Sequence, residues 1–164
     1  MIILSRSQYR LEERGGIFIV IATATLLCPV CGGMLSLLCR RLRGAISPNG
    51  NKVLYMIRRM RCAGCGKIHH ELPDCLVPYK RHCAETIENI IADNTECAPC
   101  EPGFVRRIKA WWSAVAAYFT NILSSFAARL GMKPPERPAF KDIIRAAANS
   151  NSWTFPGRLP GAAS

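Results

Sequence analysis

The first apolar run, Ile17 to Leu27 (IFIVIATATLL), spans 11 residues and ends directly at Cys28. Its short length and β-branched content predict a buried strand. Two more strand-like stretches follow, Met34 to Ile46 and Lys52 to Arg61, separated by Ser47-Pro48-Asn49-Gly50-Asn51. An Asn-Gly pair takes positive φ readily, so this pattern predicts a β-hairpin. Lys67 to Leu72 can add a third strand before Pro73 ends it. A linker with two prolines then runs to Arg81, and beyond it the apolar spacing becomes helical. Ala84 to Ala92 carries Ile87, Ile90 and Ile91 on one face, with Glu85 and Glu88 toward the positive end of the helix dipole. After a loop from Asp93 to Gly103, Phe104 opens a much longer helix. Val105, Ile108, Trp112, Val115, Phe119, Ile122 and Phe126 follow steps of three and four, with Trp111 and Tyr118 beside them. Residues 132–164 contain five prolines and one short helical run, Ala139 to Ala148, and the rest of this tail reads as loosely ordered or partner-dependent.

The sharpest chemical signal lies at the open ends of the hairpin. Cys28-Pro-Val-Cys31-Gly-Gly is matched by Cys62-Ala-Gly-Cys65-Gly. Two residues between cysteines let both sulfurs converge on one ion, and the glycine that follows permits a tight turn whose amides face them. Two such knuckles complete a closed four-thiolate set, so Cys28, Cys31, Cys62 and Cys65 are expected to hold one structural Zn2+ with no open position for catalysis. The small sheet between them has little core of its own, which would couple metal binding to folding. Cys97-Ala98-Pro99-Cys100 is a third pair at this spacing. It lacks a partner knuckle and a following glycine. A second metal site there, completed by Cys75, His82 or Cys83, ranks below a loop with unpaired thiols. Cys39 is expected to pack within its strand, and His69 and His70, on alternate faces of the third strand, would place at most one ring toward the metal.

Charge adds a partner to this picture. The chain of 164 residues carries 22 Lys and Arg against 11 Asp and Glu, a net charge of +11. Residues 40–82 alone hold +8, residues 83–101 hold −5, and residues 102–164 hold +7. Such segregation directs a field toward a polyanion. Arg40, Arg41 and Arg43 on the first hairpin strand and Arg58, Arg59 and Arg61 on the second form a candidate phosphate-backbone surface. Because strand residues alternate faces, about half of the six would meet one partner at a time. Arg106, Arg107 and Lys109 lie in the first turns of the long helix. A short helix, a loop and a second helix with a basic start can form a helix-turn-helix, which makes these three residues further DNA-contact candidates.

No charge occurs from Ala110 to Ala128, but Ser113, Thr120, Asn121, Ser124 and Ser125 dilute this stretch. Its apolar residues favour one face, so an intramolecular core, or a homodimer or protein partner seated on helix 104–130, is expected ahead of a membrane span. Glu12 and Glu13 precede the first apolar run where a signal peptide would be basic, and the expected location is the cytoplasm. Catalysis is not expected. Asp74, Asp93 and Asp142 are the only aspartates, and residues 102–164 hold only Glu136 and Asp142 as acids, too few for a metal-dependent nuclease.

The block from Arg58 through Cys62-Ala-Gly-Cys65-Gly-Lys-Ile-His69-His70-Glu71-Leu72-Pro73-Asp74, continuing into Val77-Pro78-Tyr79-Lys80-Arg81 and Glu85-Thr86-Ile87, resembles an uncharacterised bacterial family known only as a domain of unknown function. Its members are similar to the zinc ribbon and helix-turn-helix at the N-terminus of insertion-sequence transposases, without the nuclease domain. The resemblance covers roughly residues 9–112 and includes Cys28-Pro-Val-Cys31. It implies zinc at the four cysteines and DNA binding as the inherited activity.

The expected protein is therefore α+β, a small antiparallel zinc ribbon followed by a helix-turn-helix-like module with one long amphipathic helix. The expected division is 1–27, an N-terminal extension with one strand; 28–72, the ribbon; 73–131, the helical module; and 132–164, the Pro-rich tail. The expected function is non-catalytic DNA binding of transposase-like or mobile-element type. The rival is a protein-interaction adaptor that uses the ribbon and the apolar helix, with a membrane-associated protein third.

Overall fold

The computed structural model describes residues 1–94 and 100–155. Six strands and three helices alternate little along the chain: β1 (Ile2–Leu4), β2 (Tyr9–Arg14), β3 (Ile17–Ala22), β4 (Leu35–Ile46), β5 (Lys52–Cys62), β6 (Ile68–Pro73), α1 (Ala84–Ile91), α2 (Pro102–Arg129) and α3 (Phe140–Asn149). The fold is thus mixed α+β, with one curled sheet.

Strand β5 is its hub. Along one edge it pairs antiparallel with the whole of β4, Ile46 opposite Lys52 and Leu35 opposite Cys62. Its other edge is shared. Leu54 to Met56 pair parallel with Ile17 to Ile19 of β3, and Arg58 to Arg61 pair antiparallel with Glu71 to Ile68 of β6. The β4–β5 hairpin and the third strand thus form as the hydrophobic pattern predicts, with Gly50 at φ +80° in the connecting turn. A bulge between Leu37 and Cys39 lets β4 keep pairing past an irregular point.

The first 27 residues depart from expectation. They supply three strands where one was predicted, because two of the three are invisible to periodicity. β2 is largely polar and pairs with β3 through Gly15 and Gly16, both at positive φ, as a two-residue hairpin turn requires. β1 is only three residues long and pairs parallel with β6, far along the chain. All three belong to the same sheet as the predicted ribbon.

Side chains at Ile57 and Ala45 mark the part of one sheet face, toward the hairpin turn, that the helices cover; by register Arg41, Arg43, Arg59 and Arg61 lie on this same face. Ala84, Ile87 and Ile90 of α1, Ile108, Trp111, Val115 and Phe119 of α2, and Phe140, Ile143, Ile144, Ala147 and Ala148 of α3 complete this core with Ile3, Leu4, Tyr9 and Val20. On α2 the buried stripe runs through Trp111 and leaves Trp112 only partly buried, a small rotation from the predicted seam. These α2 side chains lie in the chain's own core. No helix among the described residues is long and apolar enough to cross a membrane. Helix α3, which matches the short run expected in the tail, docks on the sheet through Asn149. Its Oδ1 accepts from Ile3 N at 2.7 Å, and its Nδ2 donates to Ile3 O at 3.0 Å. One side-chain amide thereby satisfies the edge of β1 that β6 leaves free.

Candidate metal centre

Each cysteine knuckle is closed by the same backbone bonds. Cys28 N donates to Gly33 O and Gly32 N to Cys28 O; Cys62 N donates to Lys67 O and Gly66 N to Cys62 O. The glycine after each second cysteine sits at φ +71° (Gly32) or +70° (Gly66), where an L side chain would be strained. Ala63 N donates to Met34 O, tying one knuckle to the start of β4. The β4–β5 pairing then sets the two knuckles side by side.

The four sulfurs of Cys28, Cys31, Cys62 and Cys65 lie within 4.8 Å of one another. Cys28 Sγ is 3.7 Å from Cys65 Sγ, and Cys31 Sγ is 3.4 Å from Cys62 Sγ. Four thiolates at zinc–sulfur distance stand roughly 3.8 Å apart in a tetrahedron, so the donor set fits zinc in number, chemistry and spacing. Cys28 and Cys62 are buried, and Cys31 and Cys65 are exposed.

The electrostatics point the same way. The Cys65 amide, against opposition from burial and with help from the Cys31 thiol and the Gly64 amide, brings Cys62 down to about 6. At Cys31 the Gly33 amide favours the thiolate, but the Cys62 and Cys65 thiols outweigh it and lift the group to about 12. Burial opposes ionisation of Cys28, yet the Val30 and Cys31 amides and the Cys65 thiol carry it below the usual thiol range. Ionisation of Cys31 is thus opposed by the thiols beside it. A divalent cation removes that conflict, since it deprotonates the thiols that bind it.

Two residues at the centre lie outside the four-cysteine motif. A Cβ on Gly33 would stand 3.1 Å from Cys62 Sγ and 3.3 Å from Cys31 Sγ, so the second glycine of Cys-Gly-Gly leaves room for the sulfurs. His69 is buried, with Nε2 3.3 Å from Cys28 Sγ. Of the two rings of which at most one was expected to face the metal, this is the one, and it can donate to a Cys28 thiolate, which only accepts. The alternation of β6 was the available signal, because it separates His69 from His70.

The other candidates sort by face. Register places Arg41, Arg43, Arg59 and Arg61 on one side of the hairpin, and Arg40 and Arg58 on the other. Arg58 Nε donates to Glu71 Oε2 at 2.5 Å, and the carboxylate is 2% exposed, so this arginine is neutralised. Arg59 donates to Cys39 Sγ at 3.6 Å; Cys39 is exposed on the basic face instead of packed. Arg106, Arg107 and Lys109 are exposed on the first turns of α2, and Lys109 pairs with Asp93.

Of the third cysteine pair, Cys100 alone lies among the described residues, and Cys97 lies outside them. Cys100 packs against the core, Cys83 Sγ is 3.2 Å from Thr86 Oγ1, and the His82 ring stacks on Phe104 at 3.9 Å. The four-cysteine group is the one such cluster found among the described residues.

Fold and site together define an α+β protein built around a four-cysteine cluster able to hold a metal ion. The chain belongs to the domain of unknown function DUF6431, whose family model matches residues 28–109, from the first knuckle cysteine to Lys109 at the start of α2. No curated protein and no solved structure matches it.

Proposed function

We propose that this is a non-catalytic DNA-binding protein of transposase-like type, in which zinc at the four cysteines organises a ribbon and the hairpin arginines hold phosphates. The observation that carries the reading is the division of charge on the hairpin. Four arginines, Arg41, Arg43, Arg59 and Arg61, share one face, while the buried carboxylate Glu71 is spent on Arg58 of the opposite face. Guanidinium forks that stay free of carboxylates are available to phosphate oxygens. Arg106 and Arg107, exposed at the start of α2, would extend the contact in the manner of a helix-turn-helix.

The test is binding of the zinc-loaded full chain to random duplex DNA across a salt series. With four phosphates neutralised, the association constant is expected to fall with a log–log slope of about −3.6. No binding at low salt contradicts the reading.

One observation favours the protein-interaction adaptor as the second reading. Apart from a bridge between Ile46 and His82, β4 pairs among the described residues with β5 alone, and Met34, Leu37, Leu38 and Leu42 on or beside this edge strand are exposed. An open strand edge with apolar side chains can take a partner strand. Zinc-loaded protein that ignores DNA at every salt concentration would move this reading to first place.

A further inference from the structure

A cleft of about 400 Å³ opens on the basic face between β4, β6 and the turn at Tyr79. Its polar lining is Arg41, Arg43, His70 and Tyr79, and Ile57 and Leu72 supply apolar wall. No carboxylate lines it, and neither arginine takes part in an ion pair among the described residues. We propose that this cleft is a seat for one phosphate group. The proposal deepens the nucleic-acid reading and rests on it for the source of the phosphate.

Three features build the seat. Arg43 is anchored, its Nη2 donating to Lys80 O at 2.7 Å, so the fork is oriented before any ligand arrives and its remaining N–H groups are free to donate. The His70 imidazole is held below its ordinary range by burial and then by the Arg41, Arg59 and Arg43 charges around it. It therefore stands as a neutral donor in an uncompensated positive field. Tyr79 caps the opening in a conformation few bulky residues adopt, φ +60°, braced by the Phe155 ring at 5.0 Å and the Trp153 ring at 6.4 Å. Backbone strain of this kind persists only where the surroundings enforce it, and it gathers at ligand sites.

The chemistry selects phosphate over a carboxylate. Two unpaired guanidiniums match two negative charges, and two forks with an imidazole N–H can serve three or four acceptor oxygens, where a carboxylate offers two. The same Tyr79 borders a second cleft, lined by Lys80, Arg81 and Arg107 with Glu101 as its one carboxylate, so a strand with one phosphate in the seat would meet a net positive wall on leaving it.

The experiment titrates inorganic phosphate into the zinc-loaded full chain at constant ionic strength, by calorimetry or by phosphorus NMR line broadening. Saturable binding that R41Q weakens at least about tenfold, that Arg41→Lys weakens less, and that R14Q, at an exposed arginine paired with Glu12 away from the cleft, leaves unchanged supports the seat. No saturable binding overturns it, as does binding that R41Q leaves as it was. Zinc content and circular dichroism of each variant separate loss of the seat from loss of the fold, and R41K carries the comparison if R41Q does not fold. A duplex with and without a 5′-phosphate then distinguishes the sources. Tighter binding of the phosphorylated end, abolished in R41Q, assigns a terminal phosphate; equal binding of both, weakened in R41Q, assigns an internal one. Phosphate binding with no DNA binding keeps the seat and removes the nucleic-acid reading, whereas DNA binding with no phosphate binding does the reverse.

Discussion

At the turn end of the β4–β5 hairpin, Ala45 and Ile57 enter a continuous core with Ile87, Phe119 and Ile144 from the three helices. At its open end, the buried apolar set is Ile2, Cys28, Leu35, Met60 and Cys62 alone, and two of these five are knuckle cysteines. The same two strands are thus held by apolar burial at one end and by thiol chemistry at the other. Each end uses what its surroundings supply. Helices can cover a sheet only where the connections bring them, and beyond their reach the buried area is too small to order a hairpin, so ligation takes over.

Metal removal breaks this comparison most severely. Chelation, or Cys62→Ser, is expected to release the open end while the helix-covered end stays folded. Hydrogen exchange would show it, with protection lost over the 28–37 and 59–69 amides and kept in α2 and α3. Uniform loss along the chain would show that the two ends are one cooperative unit. Phe119→Ala is the converse cut, since its ring is fully buried at the helix-covered end. Denaturant unfolding should show a cost of about 3–5 kcal/mol, with zinc still bound at low denaturant.

Smaller substitutions sharpen the boundary. Glu71→Gln leaves Arg58 beside a neutral partner midway along β5 and should cost about 2 kcal/mol in the same denaturation assay, without change in metal content. If instead it releases metal, the ion pair belongs to the metal end. Tyr9→Phe deletes a buried bond of 2.7 Å from the hydroxyl to Asp74 Oδ1. The expected loss is about 1 kcal/mol at the helix-covered end, read as a small drop in Tm with zinc affinity unchanged.

The contrast also explains what could be read in advance. The knuckles, the Asn-Gly turn and the helical runs from Ala84 and Phe104 are local signals, in which a few neighbouring residues determine their own geometry. The four metal ligands were therefore legible as a set. The placing of β1 was not, because three apolar residues pair with a strand some 70 positions away and Asn149 completes the edge from farther still. The split of the six arginines follows from register, which the turn sets by placing Ile46 opposite Lys52, a pairing that the spacing of apolar residues leaves open. Which of His69 and His70 faces the metal centre, and what Gly33 makes room for, are fixed only once both knuckles are in place, since His69 and Gly33 each meet a sulfur of the centre from outside the four ligands.

The most direct test of the account is the metal stoichiometry of the purified full chain by native mass spectrometry, for the wild type and for Cys62→Ser. The account predicts one zinc per wild-type chain and a loss of the open end of the hairpin with the zinc in the variant. A wild-type chain that holds no metal, with four free thiols and the hairpin fully protected from exchange, would contradict it.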